Sequence, residues 1–165
     1  MKIRLSSVLA KQRPDEDILI MANRVLLVAE DDTVDAMLLE RAIVKCGVPI
    51  SMKRVENGDE AIQYLRGEGC YADRKQFPYP ELILLDLKMP RVDGFAVLKW
   101  RQQNRHVRQP VVVFSSSSLQ QDIDQAYALG ASSFVVKPEA PDRLEKMVRA
   151  LSTWWADFNV VHSPN

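Results

Sequence analysis

The sequence predicts an α/β fold: a parallel sheet, doubly wound by helices into three layers. Three observations predict it. Short, continuous apolar runs at Arg24–Ala29, Leu82–Leu87 and Pro110–Ser115 have the pattern of strands buried on both faces. Segments with apolar residues at helical spacing lie between them, so strands and helices alternate. Parallel neighbours need right-handed crossovers, which put helices on both faces of the sheet.

Each element follows from local chemistry. Arg24-Val-Leu-Leu-Val-Ala29 opens the pattern. Asp32 and Thr33 offer cap oxygens to a helix over Val34–Cys46, with apolar residues at 38, 39, 42 and 43 and a stop at Gly47. Ser51–Val55 is a weak strand. Asn57-Gly58-Asp59 turns into a short helix over Glu60–Leu65 that ends near Gly67, and Arg66–Pro80 reads as a loop. After the strand at 82–87, Asp93 and Gly94 open a helix to about Asn104. Pro110–Ser115 precedes a helix over Gln120–Leu129, stopped by Gly130. Ser133–Lys137 is a short last strand, and Pro141 and Asp142 open a last helix to about Asp157. The order is βαβαβαβαβα.

Length and charge bound the function. At 165 residues the chain holds one domain, expected over residues 23–158, with an extension over 1–22 that reads as a flexible arm or as an artefact of start assignment ahead of Met21, and a tail over 159–165. Lys and Arg number 22 and Asp and Glu 22, so no overall basic field draws in nucleic acid, and direct contact with it is not expected. Cys46 and Cys70 match no zinc spacing and read as free thiols in a reducing cytoplasm. His106 and His162 are the only histidines, which excludes a multi-histidine metal site. The apolar runs fall far short of the roughly 18 residues of a spanning helix, and Lys11 and Arg13 break the N-terminal stretch as a signal peptide. The expectation is a cytoplasmic protein with no membrane contact.

In a parallel sheet, ligands sit at the carboxyl ends of the strands. There this sequence places Glu30-Asp31-Asp32, Asp86, Ser115-Ser116 and Lys137-Pro138. Carboxylates packed together repel one another, and burial raises the cost. Asp32 is explained as a helix cap. Asp86 is not, since an apolar strand delivers it without need of a cap. A hard cation, Mg²⁺ or Mn²⁺, suits all-oxygen ligands. Lys137 adds a positive charge, Ser115 a hydroxyl and Ser116 a backbone N–H. Metal, ammonium, hydroxyl and amide are the groups a phosphoryl group requires, and a carboxylate among them is a nucleophile able to form an aspartyl phosphate.

Four stretches in order carry a resemblance. They are Val25-Leu-Leu-Val-Ala-Glu30-Asp31, Ile83-Leu-Leu-Asp86-Leu-Lys-Met-Pro90 with Asp93-Gly94, Pro110-Val-Val-Val-Phe-Ser115-Ser116, and Gly130-Ala131 through Phe134-Val-Val-Lys137-Pro138. Together they resemble the receiver domain of two-component response regulators over about residues 24–150. The insert from Leu65 to Asp73 and the lack of a second domain resemble the single-domain subgroup that includes cyanobacterial phytochrome response regulators.

The resemblance implies a flavodoxin-like, five-stranded sheet in the order 2-1-3-4-5. It also implies roles. Asp86 is the phosphoacceptor, supplied by a sensor histidine kinase. Asp31, Asp86 and the Lys88 main-chain carbonyl hold Mg²⁺ or Mn²⁺ directly, and Glu30 reaches it through water. Ser115 and Lys137 bond phosphoryl oxygens, with Ser116 beside them, and Phe134 moves when Ser115 does. Asp31 and Asp32 are an alternative acid pair; Glu30 and Asp31 are preferred because Asp32 is then free to cap. Two departures stand out: serine replaces the commoner threonine at 115, and Lys88 lies two residues after the phosphoacceptor.

The implied protein is a phosphorylation-switched signalling module, not an enzyme with an outside substrate. Two alternatives are a receiver-like scaffold that works without phosphate and an aspartyl-phosphate phosphatase. Lys88 counts against the phosphatase, which keeps an acid at that position. The lack of a Gly-rich phosphate loop after the first strand counts against a nucleotide-binding domain. Trp154, Trp155 and Phe158 end the last helix and are candidates for a homodimer interface. Neighbouring helical residues point about 100° apart, so both tryptophans can hardly bury in one core. Arg101, Arg105, His106 and Arg108 read as a solvated basic surface, and Lys137–Pro138 as a cis bond that aims the lysine inward.

Overall fold

The structure is a computed structural model that describes residues 24–155. Five parallel strands form one sheet: β1 (Arg24–Ala29), β2 (Ile50–Val55), β3 (Leu82–Leu85), β4 (Val111–Ser115) and β5 (Ser133–Val136). Their spatial order is β2-β1-β3-β4-β5, as expected. Five α-helices connect or follow them: α1 (Thr33–Cys46), α2 (Gly58–Arg66), α3 (Gly94–Gln103), α4 (Gln120–Ala128) and α5 (Pro141–Thr153).

Side chains alternate across the sheet, and this period of two divides the core into two layers. Leu27, Ala29, Ile83, Leu85, Val111 and Val113 face one side, packed with Ala61, Tyr64 and Leu65 of α2, Val97 and Leu98 of α3, and Ala126 of α4. Leu26, Val28, Leu82, Leu84, Val112 and Phe114 face the other, packed with Leu39, Ala42 and Ile43 of α1 and Leu144 and Val148 of α5. β1, β3 and β4 are buried on both faces for this reason, and their sequences are apolar apart from Arg24 at the start of β1 and Ser115 at the end of β4. The two edge strands are more open. β2 gains Ile50 over its expected span, and β5 ends at Val136, one residue short of Lys137.

Helix starts follow their caps. Asp32 Oδ1 accepts from the Val34 and Asp35 amides at 2.7 and 3.1 Å, which brings Thr33 into α1. Gly47, at φ 64°, donates its N–H to the Val44 carbonyl and closes the helix. Asn57 accepts from the Glu60 amide at 3.0 Å, so α2 begins at Gly58 rather than at Glu60.

The stretch expected as a plain loop, residues 66–80, is ordered by a short helical turn, side-chain hydrogen bonds and packed rings. A single 3₁₀ turn spans Gly69–Tyr71. Arg74 donates to the carbonyls of Tyr64 and Leu65 in the last turn of α2 and to that of Phe77. Tyr64, Tyr71 and Phe77 pack ring against ring with centroids 5.2–6.0 Å apart. The Tyr64 hydroxyl donates to the Pro78 carbonyl at 2.8 Å, and burial pushes its pKa up to about 12.

The two tryptophans part company. Trp154 is 46% exposed, whereas Trp155 is 1% exposed and packs in the layer of α1 and α5. Arg24 donates to the Trp155 carbonyl at 2.5 Å, with its guanidinium 5.7 Å from the centre of the indole ring. Trp155 is thus a core residue, which corrects its place among the interface candidates: the 100° offset sends one indole inward and one outward. Phe158 lies outside the described residues. Trp155→Ala is expected to lower stability by about 3–5 kcal/mol and Trp154→Ala by less than about 1 kcal/mol, measured by urea unfolding. Equal losses would place both indoles in one environment.

Candidate functional site

Glu30, Asp86 and Lys137 each stand one step past the end of a strand, held by one last ladder bond. The Glu30 amide donates to Val55 at 3.0 Å, continuing β1 beside β2. The Asp86 amide donates to Ala29 at 3.0 Å, continuing β3 beside β1. The Lys137 amide donates to Ser115 at 2.8 Å, continuing β5 beside β4. The apolar strands thus set backbone positions for polar residues that no strand would otherwise bury. Lys137 is aimed inward by this bond and by its acids. The Lys137–Pro138 bond is trans, since the described residues contain no cis peptide, so the expected cis turn is corrected.

The centre of the site is the Lys137 ammonium. It lies 2.6 Å from Glu30 Oε2, 2.9 Å from Asp86 Oδ2 and 2.9 Å from Asp35 Oδ2. Its three N–H donors match three carboxylates. The side chains of Lys137, Glu30 and Asp86 are 12%, 3% and 6% exposed. Burial pulls the Lys137 pKa down, but its hydrogen bonds to Glu30, Asp86 and Asp35 outweigh that and hold it above the ordinary lysine value. Burial pushes the Glu30 carboxyl up, and Lys137 offsets this only in part. The Phe114 ring lies 5.8 Å from the ammonium.

The residues fit a hard divalent cation. Glu30, Asp31 and Asp86 each offer a carboxylate oxygen, and these lie within 4.8 Å of one another. Glu30 and Asp86 are buried while Asp31 is exposed, which leaves the group open to solvent on one side. Asp32 is spent on the α1 cap, as the choice of Glu30 and Asp31 assumed. The Lys88 amide donates to Asp86 Oδ1 at 3.2 Å and turns that carboxylate across the strand end. Its side chain is exposed.

The Asp93-Gly94 pair has a steric reason. Asp93 caps α3 by accepting from the Ala96 amide at 2.8 Å. A Cβ on Gly94 would sit 2.2 Å from the Asp86 carbonyl oxygen and 2.9 Å from Leu87 Cα. α3 can thus start against the backbone of Asp86 only without a side chain there.

Ser115 is fully buried at the end of β4, and its Oγ accepts from the Ser117 amide at 3.4 Å. The Ser117 hydroxyl donates to Asp122 in the first turn of α4. Ser116 is exposed beside them. Phe134 is half-buried on β5, and its amide donates to the Tyr127 hydroxyl at 3.2 Å. Away from the site, Arg105, His106 and Arg108 are exposed, but Arg101 is not a solvated surface residue: it donates to the Gly130 and Gln109 carbonyls at 3.1 and 2.9 Å, and burial lowers its pKa.

Sequence reasoning missed two residues at the site. Asp35 lies in the first turn of α1, three residues past the Asp32 cap, where an acid already suits the helix end and so does not stand out as part of a site. Arg54 of β2 reaches over β1 and donates to the carbonyls of Glu30 and Asp31 at 3.0 and 2.9 Å, which clamps the acidic loop from behind. Its only signal was a lone arginine near the end of a weak strand.

With this geometry in view, residues 26–149 match the response regulator receiver domain, and the chain belongs to that family. Response regulator Rcp1 of Synechocystis sp. is 30% identical over 81% of this chain and 90% of its own length. The crystal structure of the Mn²⁺-bound form of Rcp1 has a TM-score of 0.75 at 29% identity, covering 85% of this chain and 99% of that one. A response regulator in red light signalling of R. palustris has a TM-score of 0.81 at 30% identity, covering 86% and 99%. The phosphorylated cyanobacterial phytochrome response regulator RcpA has a TM-score of 0.77 at 33% identity, covering 85% and 99%. Receiver domains of this family are two-component signalling proteins. Among the described residues, no helix is long and apolar enough to cross a membrane.

Gly94→Ala is expected to cost about 1–3 kcal/mol by urea unfolding and to weaken Mn²⁺ binding by calorimetry, because the new methyl group displaces the Asp86 backbone. Unchanged metal binding would show that the loop absorbs the methyl group without moving Asp86.

Proposed function

We propose that the protein is a phosphorylation-switched receiver that takes a phosphoryl group from a histidine kinase onto Asp86. One observation carries the reading: the buried Asp86 carboxylate lies 2.9 Å from the Lys137 ammonium and clusters with Glu30 and Asp31. An Asp86 oxygen attacks phosphorus, an acyl phosphate bond forms, and the bond from phosphorus to the donor imidazole nitrogen breaks. The imidazole leaves with the bonding pair and takes a proton from solvent. Lys137 already donates to Asp86 and turns that donor to a phosphoryl oxygen. Ser115, at the end of the neighbouring strand, supplies its hydroxyl to another, with the Ser116 amide beside it.

Glu30, Asp31, Asp86 and the Lys88 carbonyl are the groups that would hold Mg²⁺ or Mn²⁺. When bound, the ion supplies positive charge to the phosphoryl oxygens. The Mn²⁺-bound form of Rcp1 and the phosphorylated form of RcpA support both parts of the reading. Signalling then proceeds through protein contacts. Ser115 releases the Ser117 amide as it turns to the phosphoryl group, and Phe134 fills the space that opens. The ligand shifts a balance between two packings. Self-association through α5 and β5 belongs to the same reading, with Trp154 exposed just past the end of α5 and Val136 exposed on β5.

Incubation with acetyl phosphate and Mg²⁺ is expected to add one phosphoryl group by intact mass. Asp86→Asn should block it, and Asp31→Ala should abolish metal dependence with most of the activity. Undiminished labelling of Asp86→Asn would refute the assignment. Ser115→Ala should still accept phosphate, yet the change in hydrogen exchange over residues 114–140 should be largely lost. A wild-type protein with the same exchange there before and after phosphorylation has no such switch.

A further inference from the structure

Two of the three acids around Lys137, Glu30 and Asp86, belong to the pocket of the proposed phosphorylation. The third, Asp35, lies on the first turn of α1, outside the cluster formed by Glu30, Asp31 and Asp86. It is nonetheless as close to the ammonium as Asp86, at 2.9 Å. Its side chain is 40% exposed, so it stands at the rim, between the lysine and solvent. Its backbone is held by the cap, since its own amide donates to Asp32 Oδ1 at 3.1 Å.

We infer that Asp35 is a positioning residue that acts through Lys137: it is a fixed anion that competes with the phosphoryl group for the ammonium and so limits how tightly the phosphorylated state is held. The inference rests on the reading of Asp86 as phosphoacceptor. Three features support it. Glu30 and Asp86 already hold the ammonium from the buried side, with the Phe114 ring near it, so Asp35 is not needed to keep the lysine in place. The arriving phosphoryl group brings further negative charge into a site that already gathers Glu30, Asp35 and Asp86 around one ammonium, with Asp31 clustered beside Glu30 and Asp86. All three lysine donors are engaged, so any new acceptor shares or displaces an existing one. Asp35, the most exposed of the three partners, is the one most readily given to water. While it remains paired, it neutralises part of the charge that the phosphoryl group needs.

The test uses the full chain at saturating Mg²⁺ and beryllofluoride, a stand-in for the phosphoryl group, titrated by calorimetry. Asp35→Asn, which keeps the shape and removes the charge, is expected to bind beryllofluoride about three- to tenfold more tightly. Asp35→Glu should return affinity toward that of wild type. The gain should shrink as salt rises, because the carboxylate is partly exposed; a change in packing alone would show no such dependence. Glu68→Gln removes one charge from an exposed acid remote from the site and should change nothing. Equal or weaker binding by Asp35→Asn, or the same gain from Glu68→Gln, overturns the inference. A wild-type protein that binds Mg²⁺ yet neither binds beryllofluoride nor gains phosphate overturns the phosphoacceptor reading itself, and this inference with it.

Discussion

A buried carboxylate needs a partner, and here one ammonium serves three. Glu30 and Asp86 sit almost out of water at the ends of two central strands with apolar interiors. Without Lys137, two like charges would face each other in a poorly solvated place, and breaking a buried pair of this kind costs about 3–5 kcal/mol. The remainder of the fold serves that meeting. β1, β3 and β5 end at levels that bring an acid, an acid and a lysine together, and the last bond of each ladder sets their height. Arg54 holds the acidic loop from the outer side, and Gly94 lets α3 close against Asp86.

The order of elements was legible because the three central strands are buried on both faces. A strand with no solvent face has no need of polar residues, so β1, β3 and β4 stand out as apolar runs, polar only at the terminal Arg24 and Ser115. β2 and β5 are edge strands, and their mixed composition blurs their limits: one begins at Ile50 and the other ends at Val136. The order within residues 66–80 was illegible for a different reason. It depends on Arg74 reaching back to carbonyls of α2 and on rings from three separate positions, and neither leaves a periodic trace. Trp155 was misplaced because a helix end carries too few residues to show which flank faces inward.

At the site, Glu30, Asp31, Asp86, Ser115 and Lys137 were legible from chemistry, because charged or hydroxyl groups at the ends of apolar strands lack a local purpose. Asp35 has an apparent local purpose, as an acid in the first turn of a helix, and that purpose hid its contact with a lysine 102 residues away. Arg54 was hidden likewise, since its targets are backbone carbonyls, which sequence does not mark. In both cases the contact becomes specific only after the sheet is assembled.

The contact between Tyr127 and Phe134 has a consequence for solubility. β5 is the outer strand on its side of the sheet, and free amides along such a border can template a foreign strand. The Tyr127 hydroxyl occupies the Phe134 amide within this short border. The chain thus masks part of its own adhesive margin with one phenol, and a rearrangement of α4 that withdrew Tyr127 would lay that margin open to aggregation.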